Sequence, residues 1–181
     1  DGLFTYELVA ADVDDTDLSY SATVDGNASV DVTGSTLTIT PNLNYNGDIA
    51  VDVTVSDSEL TDNDSFTLTV NPVNDAPVAH AASGETDEDQ SVSITLSGSD
   101  IDGDQLTFSL LSDASSGSVT IDGTLATYVP TPDFNGLDSF IFTVSDGELT
   151  DSETVTITIN AINDAPIAIS TLATTDEDVS V

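Results

Sequence analysis

Apolar and polar residues alternate with a period of two along most of the chain, in short runs separated by turn residues. Val92, Ile94 and Leu96 form one run, and Leu106, Phe108 and Leu110 the next. Val119 and Ile121 follow, then Phe140, Phe142 and Val144, and finally Val155, Ile157 and Ile159. The same order occurs earlier as Phe4, Tyr6 and Leu8, then Leu18 and Tyr20, and later Phe66, Leu68 and Val70. Successive side chains of a strand point to opposite faces, so each run predicts a strand with one buried face. No segment carries a 3.6-residue period, so no helix is expected. Asp, Asn, Gly and Pro fill the intervals, the residues that turns favour.

Landmarks in this pattern recur at a fixed spacing. Asn74-Asp75-Ala76-Pro77 returns as Asn163-Asp164-Ala165-Pro166, an offset of 163 − 74 = 89. Thr86-Asp87-Glu88-Asp89 returns as Thr175-Asp176-Glu177-Asp178 at the same 89, as do Asn46-Gly47 in Asn135-Gly136 and Val55-Ser56-Asp57 in Val144-Ser145-Asp146. Asp12-Val13-Asp14 answers Asp100-Ile101-Asp102 at 100 − 12 = 88, so the second repeat gains one residue, expected in a loop. The chain therefore divides into residues 1–74, a first repeat lacking its first strand, residues 75–163, a complete second repeat, and residues 164–181, the opening strand of a third. About seven short strands per repeat fit a two-sheet sandwich, so the expected class is all-β, tandem Greek-key sandwiches. Each linker runs directly from a strand into Ala-Pro, which makes it stiff compared with a Gly/Ser linker.

Charge changes the picture. The chain of 181 residues carries 34 Asp plus Glu and neither Lys nor Arg, a formal net charge of −34. Two carboxylates roughly 4 Å apart repel by about 4 kcal/mol at an effective dielectric near 20. With no basic partner in the chain, acid clusters in turns oppose compaction unless a cation from solution sits among them. Asp beside Gly and Asn is how oxygen cages for Ca²⁺ are built, and composition alone equally admits a solvated acidic surface. DNA, RNA and anionic membrane surfaces are excluded as partners on the same ground. No apolar run approaches the roughly 20 residues needed to cross a membrane. The chain reads as a piece of a longer one, so a missing signal peptide carries no weight.

Catalysis is not expected. There is no Cys, and the single His80 has no counterpart in the first repeat, so a nucleophilic triad has no base. Paired carboxylates recur in every repeat within turns, which suggests structure rather than glycoside cleavage. No Gly-rich phosphate loop opens a helix.

The ordered set of acids resembles the cadherin-like and bacterial Ig-like repeats of large secreted bacterial adhesins. It comprises Glu88 and Glu177 after the first strand, Asp12 with Asp14 and Asp100 with Asp102, Asp57 and Asp146 in the last hairpin, and the Asn-Asp-x-Pro linkers. The resemblance implies Ca²⁺ as the cofactor, bound at repeat junctions. The first junction would use Asn74, Asp75, Asp100, Asp102 and Asp146. The second would use Glu88, Asn163 and Asp164. Where cadherins carry Asp-x-Glu, this chain has Asp133-Phe134-Asn135 and Asn44-Tyr45-Asn46, so one ion per junction is expected. For a single Asp the competing reading is a metal-free Asx turn. Asp87, Asp89, Glu148 and Asp151 are read as solvated surface, and His80 as exposed.

The implied function is a calcium-rigidified extracellular spacer or adhesion segment of a bacterial surface protein or fibre, whose partners are neighbouring repeats of the same chain. The alternative is repeats that bind a polysaccharide or self-associate in a homophilic or strand-exchanged filament. A sugar site would need exposed aromatics, and only Tyr45 and Phe134 fall in loops. Residues 165–181 repeat the first-strand sequence and are read first as a truncated third repeat, with uptake of this strand by a neighbouring copy as the alternative.

Overall fold

The computed structural model describes residues 2–170, 172, 174 and 177. It consists of strands and turns, with no helix among the described residues. The chain separates into two compact units, Asp1–Asp75 and Ala76–Val181.

In the first unit, β1 (Phe4–Glu7), β4 (Thr36–Pro41) and β3 (Ala28–Thr33) form one sheet in the order β1-β4-β3. The strands β2 (Ser19–Val24), β5 (Gly47–Ser56) and β6 (Thr61–Val70) form the other, in the order β2-β5-β6. All pairings are antiparallel. Leu8, Leu37, Ile39, Ile49 and Val51 are the buried core, and Tyr20, Phe66 and Leu68 pack against it.

The second unit repeats this plan and adds to it. Its three-stranded sheet is β12 (Gly117–Asp122), β13 (Leu125–Pro130) and β9 (Val92–Thr95). Its four-stranded sheet runs β11 (Thr107–Ser112), β14 (Gly136–Ser145), β15 (Thr150–Asn160) and β8 (Ala82–Asp87). A short ribbon joins β7 (Val78–His80) to β10 (Ser97–Ser99). The stretch from β7 to β8 thus serves two partners: β7 lies antiparallel to β10, and β8 then runs parallel to β15 with Ile157 opposite Gly84. A Cβ on Gly84 would stand 2.7 Å from Ile94 Cδ1, so the absence of a side chain lets β8 sit this close.

The alternation predicted from sequence is the one that packs. Phe140, Phe142 and Val144 of β14 and Val155, Ile157 and Ile159 of β15 are all buried, interleaved with more exposed neighbours. Burying each such side chain contributes about 1.5–3 kcal/mol. Tyr6 departs from the core reading, being 55% exposed.

The extra residue of the second repeat lies in a strand, not in a loop. In β2 against β5, Ala22 faces Val53 and Thr23 faces Asp52. In β11 against β14, Leu110 faces Phe142, and it is Ser112 that faces Ile141. Leu111 is the inserted residue, a β-bulge whose side chain is 61% exposed. A bulge absorbs one residue while keeping inward positions inward on both sides, so the alternation alone does not reveal it.

Residues 161–170, which contain the first part of the expected third-repeat strand, form no regular strand. Of its Thr175-Asp176-Glu177-Asp178 motif, Thr175, Asp176 and Asp178 lie outside the described residues.

Candidate metal site and relatives of the chain

The loop after β10 is organised by one carboxylate. Asp100 Oδ1 accepts the backbone N–H groups of Asp102 at 2.9 Å, Gly103 at 3.0 Å and Asp104 at 3.3 Å. Gly103 has φ +82, a left-handed conformation that glycine adopts without strain, and it lets the chain fold back over the carboxylate. The carboxyl oxygens of Asp100, Asp102 and Asp104 come within 4.8 Å of one another. Two oxygens bound to one Ca²⁺ at 2.3–2.6 Å lie at most about 5 Å apart, so this spacing suits a single ion.

Asp100 Oδ2 supplies a test of fit. It is buried and has no hydrogen-bond partner. Leaving a buried polar group unmatched costs about 1–3 kcal/mol, and more for a charged one. A hard divalent cation is the partner that three convergent carboxylates suit. The donor set is all oxygen, with no imidazole or thiolate. Asp104 was not singled out by the sequence reading, although the alternation Asp100-x-Asp102-x-Asp104 was visible. The resemblance drew attention to the first pair alone.

The remaining candidates are placed as follows. Asn74 and Asp75 are half-buried residues that close the first unit. In the second unit Asp146 Oδ1 accepts the N–H groups of Glu148 at 2.7 Å and Leu149 at 2.6 Å, a cap on the β14–β15 hairpin. Asp57 caps the equivalent hairpin of the first unit through Glu59 at 2.7 Å and Leu60 at 2.6 Å, and these bonds hold its carboxyl below the usual range. Asp12 Oδ1 accepts from the amides of Asp14 and Asp15, both at 2.8 Å. The first unit has Thr16 where the second has Asp104, and Asp12 and Asp14 join no three-acid group among the described residues. Asn163 and Asp164 are exposed, with Asn163 Nδ2 donating to the Asp164 carbonyl at 3.2 Å.

Glu88 is buried, 6% exposed, and fastened at both oxygens. Oε1 accepts from the Ile162 amide, and Oε2 accepts from Asn135 Nδ2 at 3.2 Å. The Glu88 amide in turn donates to the Asn160 carbonyl at 2.9 Å. This acid latches the stretch after β15 to the start of the unit.

Several acids read as solvated are tied into the fold. Asp151 Oδ2 accepts the Ala79 amide at 2.9 Å, and Asp89 Oδ1 the Asp133 amide at 3.1 Å. His80 is exposed as expected, between the hydroxyls of Ser99 and Ser97. Neither loop aromatic stands free as a stacking face. Tyr45 and Phe134 both pack on their cores, and the Tyr45 hydroxyl donates to the Asp48 carbonyl at 2.7 Å.

Asp138 escaped the sequence reading. It occupies an inward position of β14, two residues before Phe140, and is 7% exposed. It accepts five hydrogen bonds, from the amides of Ser115, Ser116 and Ser139 and the hydroxyls of Ser115 and Tyr128. Burial pushes its carboxyl up, but the bonds together outweigh burial and hold it below the ordinary range. Burial and the bond to Asp138 push the Tyr128 phenol up.

The first unit also has a cleft of about 780 Å³ lined by Phe4, Tyr6, Tyr20, Val53 and Phe66. Val92, Ile94 and Val155 stand at the matching places of the second unit, and there β8 covers them.

Residues 74–158 match the sequence profile of the bacterial Ig domain. No curated protein sequence matches the chain. Among solved structures, human protocadherin-24 EC1-2 is similar with a TM-score of 0.60 at 15% identity, covering 88% of this chain and 88% of that one. Mouse protocadherin-24 EC1-3 has a TM-score of 0.50 at 16% identity, covering 79% of this chain and 58% of that one. An endo-fucoidan hydrolase of glycoside hydrolase family 107 aligns with a TM-score of 0.39 at 21% identity, covering 90% of this chain, which spans 26% of the hydrolase. The cadherin likeness shows the fold, and the profile match falls on the second repeat. The chain has the fold of cadherin-like, Ig-like β-sandwich repeats, and residues 74–158 match the bacterial Ig domain profile.

Proposed function

We propose that this chain is a spacer or adhesion segment of an extracellular bacterial protein, stabilised by Ca²⁺ held at Asp100, Asp102 and Asp104. The observation that carries the reading is the buried, unpartnered Oδ2 of Asp100 beside two further carboxylates, in a chain with no Lys or Arg to meet it. When bound, the ion would supply the positive charge that the chain lacks and fix the loop between β10 and β11. Asp100 orients the loop through Oδ1 and offers Oδ2, while Asp102 and Asp104 complete the carboxylate set. Water can fill the rest of a shell of six to eight oxygens. Support for the spacer role comes from the repeat itself, from the bacterial Ig profile and from buried acids committed to holding turns. Neighbouring repeats of the same chain are the partners this reading names.

The test is thermal unfolding of the chain in millimolar Ca²⁺, in Mg²⁺ and in excess EDTA. A ligand at about 100 times its dissociation constant stabilises by roughly 2.7 kcal/mol per site. Ca²⁺ is expected to raise the melting temperature by several degrees, Mg²⁺ less, and Asp100→Asn or Asp104→Asn to remove most of the rise. Identical melting in Ca²⁺ and EDTA would show that these acids are turn caps alone and would end the calcium reading.

A further inference from the structure

We propose that Asn135–Gly136 is a self-deamidation site whose product opens the Glu88 latch on the stretch after β15. The proposal does not depend on calcium at Asp100. It rests on an Asn–Gly pair placed where the asparagine amide performs a structural task. Asn135 Nδ2 donates to Glu88 Oε2 at 3.2 Å, while Oε1 of the same carboxylate accepts from the Ile162 amide. Asn135 and Gly136 are both exposed, and Gly136 stands at φ +130 as the first residue of β14. Apart from its chain neighbours, a Cβ at Gly136 would meet Phe134 Cζ, at 3.8 Å. With no side chain of its own, Gly136 places no steric barrier between its nitrogen and the neighbouring Asn135 side chain.

The chemistry needs only water. The Gly136 backbone nitrogen attacks the Asn135 side-chain carbonyl carbon, a five-membered imide closes and ammonia leaves. Water then opens the imide at either carbonyl, giving Asp or isoAsp. The net change is one amide and one water converted to one carboxylate and one ammonium ion.

The consequence follows from the local charge. A donor to Glu88 becomes an acceptor, and two carboxylates face each other at hydrogen-bond distance. Glu88 is 6% exposed, so water screens its side of the pair poorly although residue 135 is itself exposed. Asp89 and Asp133, joined by a bond of 3.1 Å, add acid nearby, and the chain has no Lys or Arg to compensate. Glu88 is then driven away from its seat, and the Ile162 amide loses its acceptor. The pair Asn46–Gly47 of the first unit is an internal comparison: a Cβ on Gly47 would lie 3.2 Å from Tyr45 Oη, whereas one on Gly136 would stand 3.8 Å from Phe134 Cζ, so the Asn135 pair is the less crowded.

The experiment ages the whole chain in mildly alkaline buffer with EDTA. Conversion is read by intact mass and by peptide mapping with a glutamate-specific protease, and the Ile162 amide by hydrogen exchange. Asn135 is expected to convert before Asn46, and Ile162 protection to fall by about tenfold or more in the converted fraction. Asn135→Asp should show the same loss without ageing, and Asn46→Asp should not. Conversion of Asn46 while Asn135 stays intact would overturn the proposal, as would wild-type protection of Ile162 in Asn135→Asp. If Asn135→Asp does not fold, the aged wild-type chain still decides through its converted fraction.

Discussion

Asp138 and Tyr128 show how far one repeat can depart from its sister at single residues. At the offset of 89, Gly117, Tyr128 and Asp138 stand where the first unit has Ala28, Ile39 and Ile49. Ile39 and Ile49 are fully buried, so one unit fills this place with aliphatic carbon and the other with a hydrogen-bonded acid. The glycine belongs to the exchange, because a Cβ on Gly117 would lie 2.3 Å from the Tyr128 ring. Asp138→Ile alone is expected to cost about 1–3 kcal/mol in urea unfolding, since it strands the Ser115, Ser116 and Tyr128 donors. The triple change Gly117→Ala, Tyr128→Ile, Asp138→Ile should recover most of that loss, and failure to recover any would mean that the sites do not act as a set. The pH dependence has a definite sign. Asp138 is held below its ordinary value when folded, so its contribution is present above the unfolded pKa of about 3.9 and is lost as pH falls through the folded value. The triple variant should therefore lose less stability than wild type on acidification below about pH 4. The phase of the alternation already placed Asp138 inward. A carboxylate there reads as an interruption until its donors, 22 and 23 residues away in sequence, are seen.

Strands were the most legible element in the sequence, because one buried face imposes a period of two wherever it occurs. β14 and β15 follow the expected alternation at Phe140, Phe142 and Val144 and at Val155, Ile157 and Ile159. The parallel seat of β8 on β15 was not legible, since which edge a strand joins depends on partners remote in sequence. The Leu111 bulge was half legible: the repeat arithmetic demanded one extra residue, but the expectation of a loop put it in the wrong kind of element. Its position yields a prediction. Deleting Leu111 should give β11 the register that β2 already uses against β5, with Thr23 opposite Asp52 as the template. Stability should stay within about 1 kcal/mol of wild type, as for surface changes generally. Leu110→Ala, which removes a side chain packed on the core, should cost about 2 kcal/mol or more. A deletion at Leu111 more damaging than Leu110→Ala would show that the bulge does more than absorb a residue.

Across the whole chain the governing quantity is a charge of −34 with no Lys or Arg. One consequence is chemical: trypsin has no Lys or Arg to cleave at, so the intact mass should be unchanged after prolonged digestion even under conditions that loosen the fold. The larger consequence is that cations can act on the chain in two separable ways. Diffuse screening acts on every exposed carboxylate, and the Debye length falls from about 10 Å at 0.1 M salt to about 3 Å at 1 M. A NaCl titration should therefore raise the melting temperature gradually, without saturating at millimolar levels, and by the same amount in wild type and Asp100→Asn. A localised ion behaves otherwise, because binding saturates and depends on particular oxygens. The Asp100 loop is where a localised ion fits best, since Oδ2 is already dehydrated and the other two carboxylates lie close by. Millimolar CaCl₂ should therefore raise melting beyond NaCl of equal ionic strength, and the excess should vanish in Asp100→Asn while the NaCl response persists. If NaCl of equal ionic strength reproduces the whole calcium effect, screening of a uniformly acidic surface accounts for it. A common response in wild type and Asp100→Asn would lead to the same conclusion, and the loop would then be an Asx turn whose buried oxygen is simply tolerated.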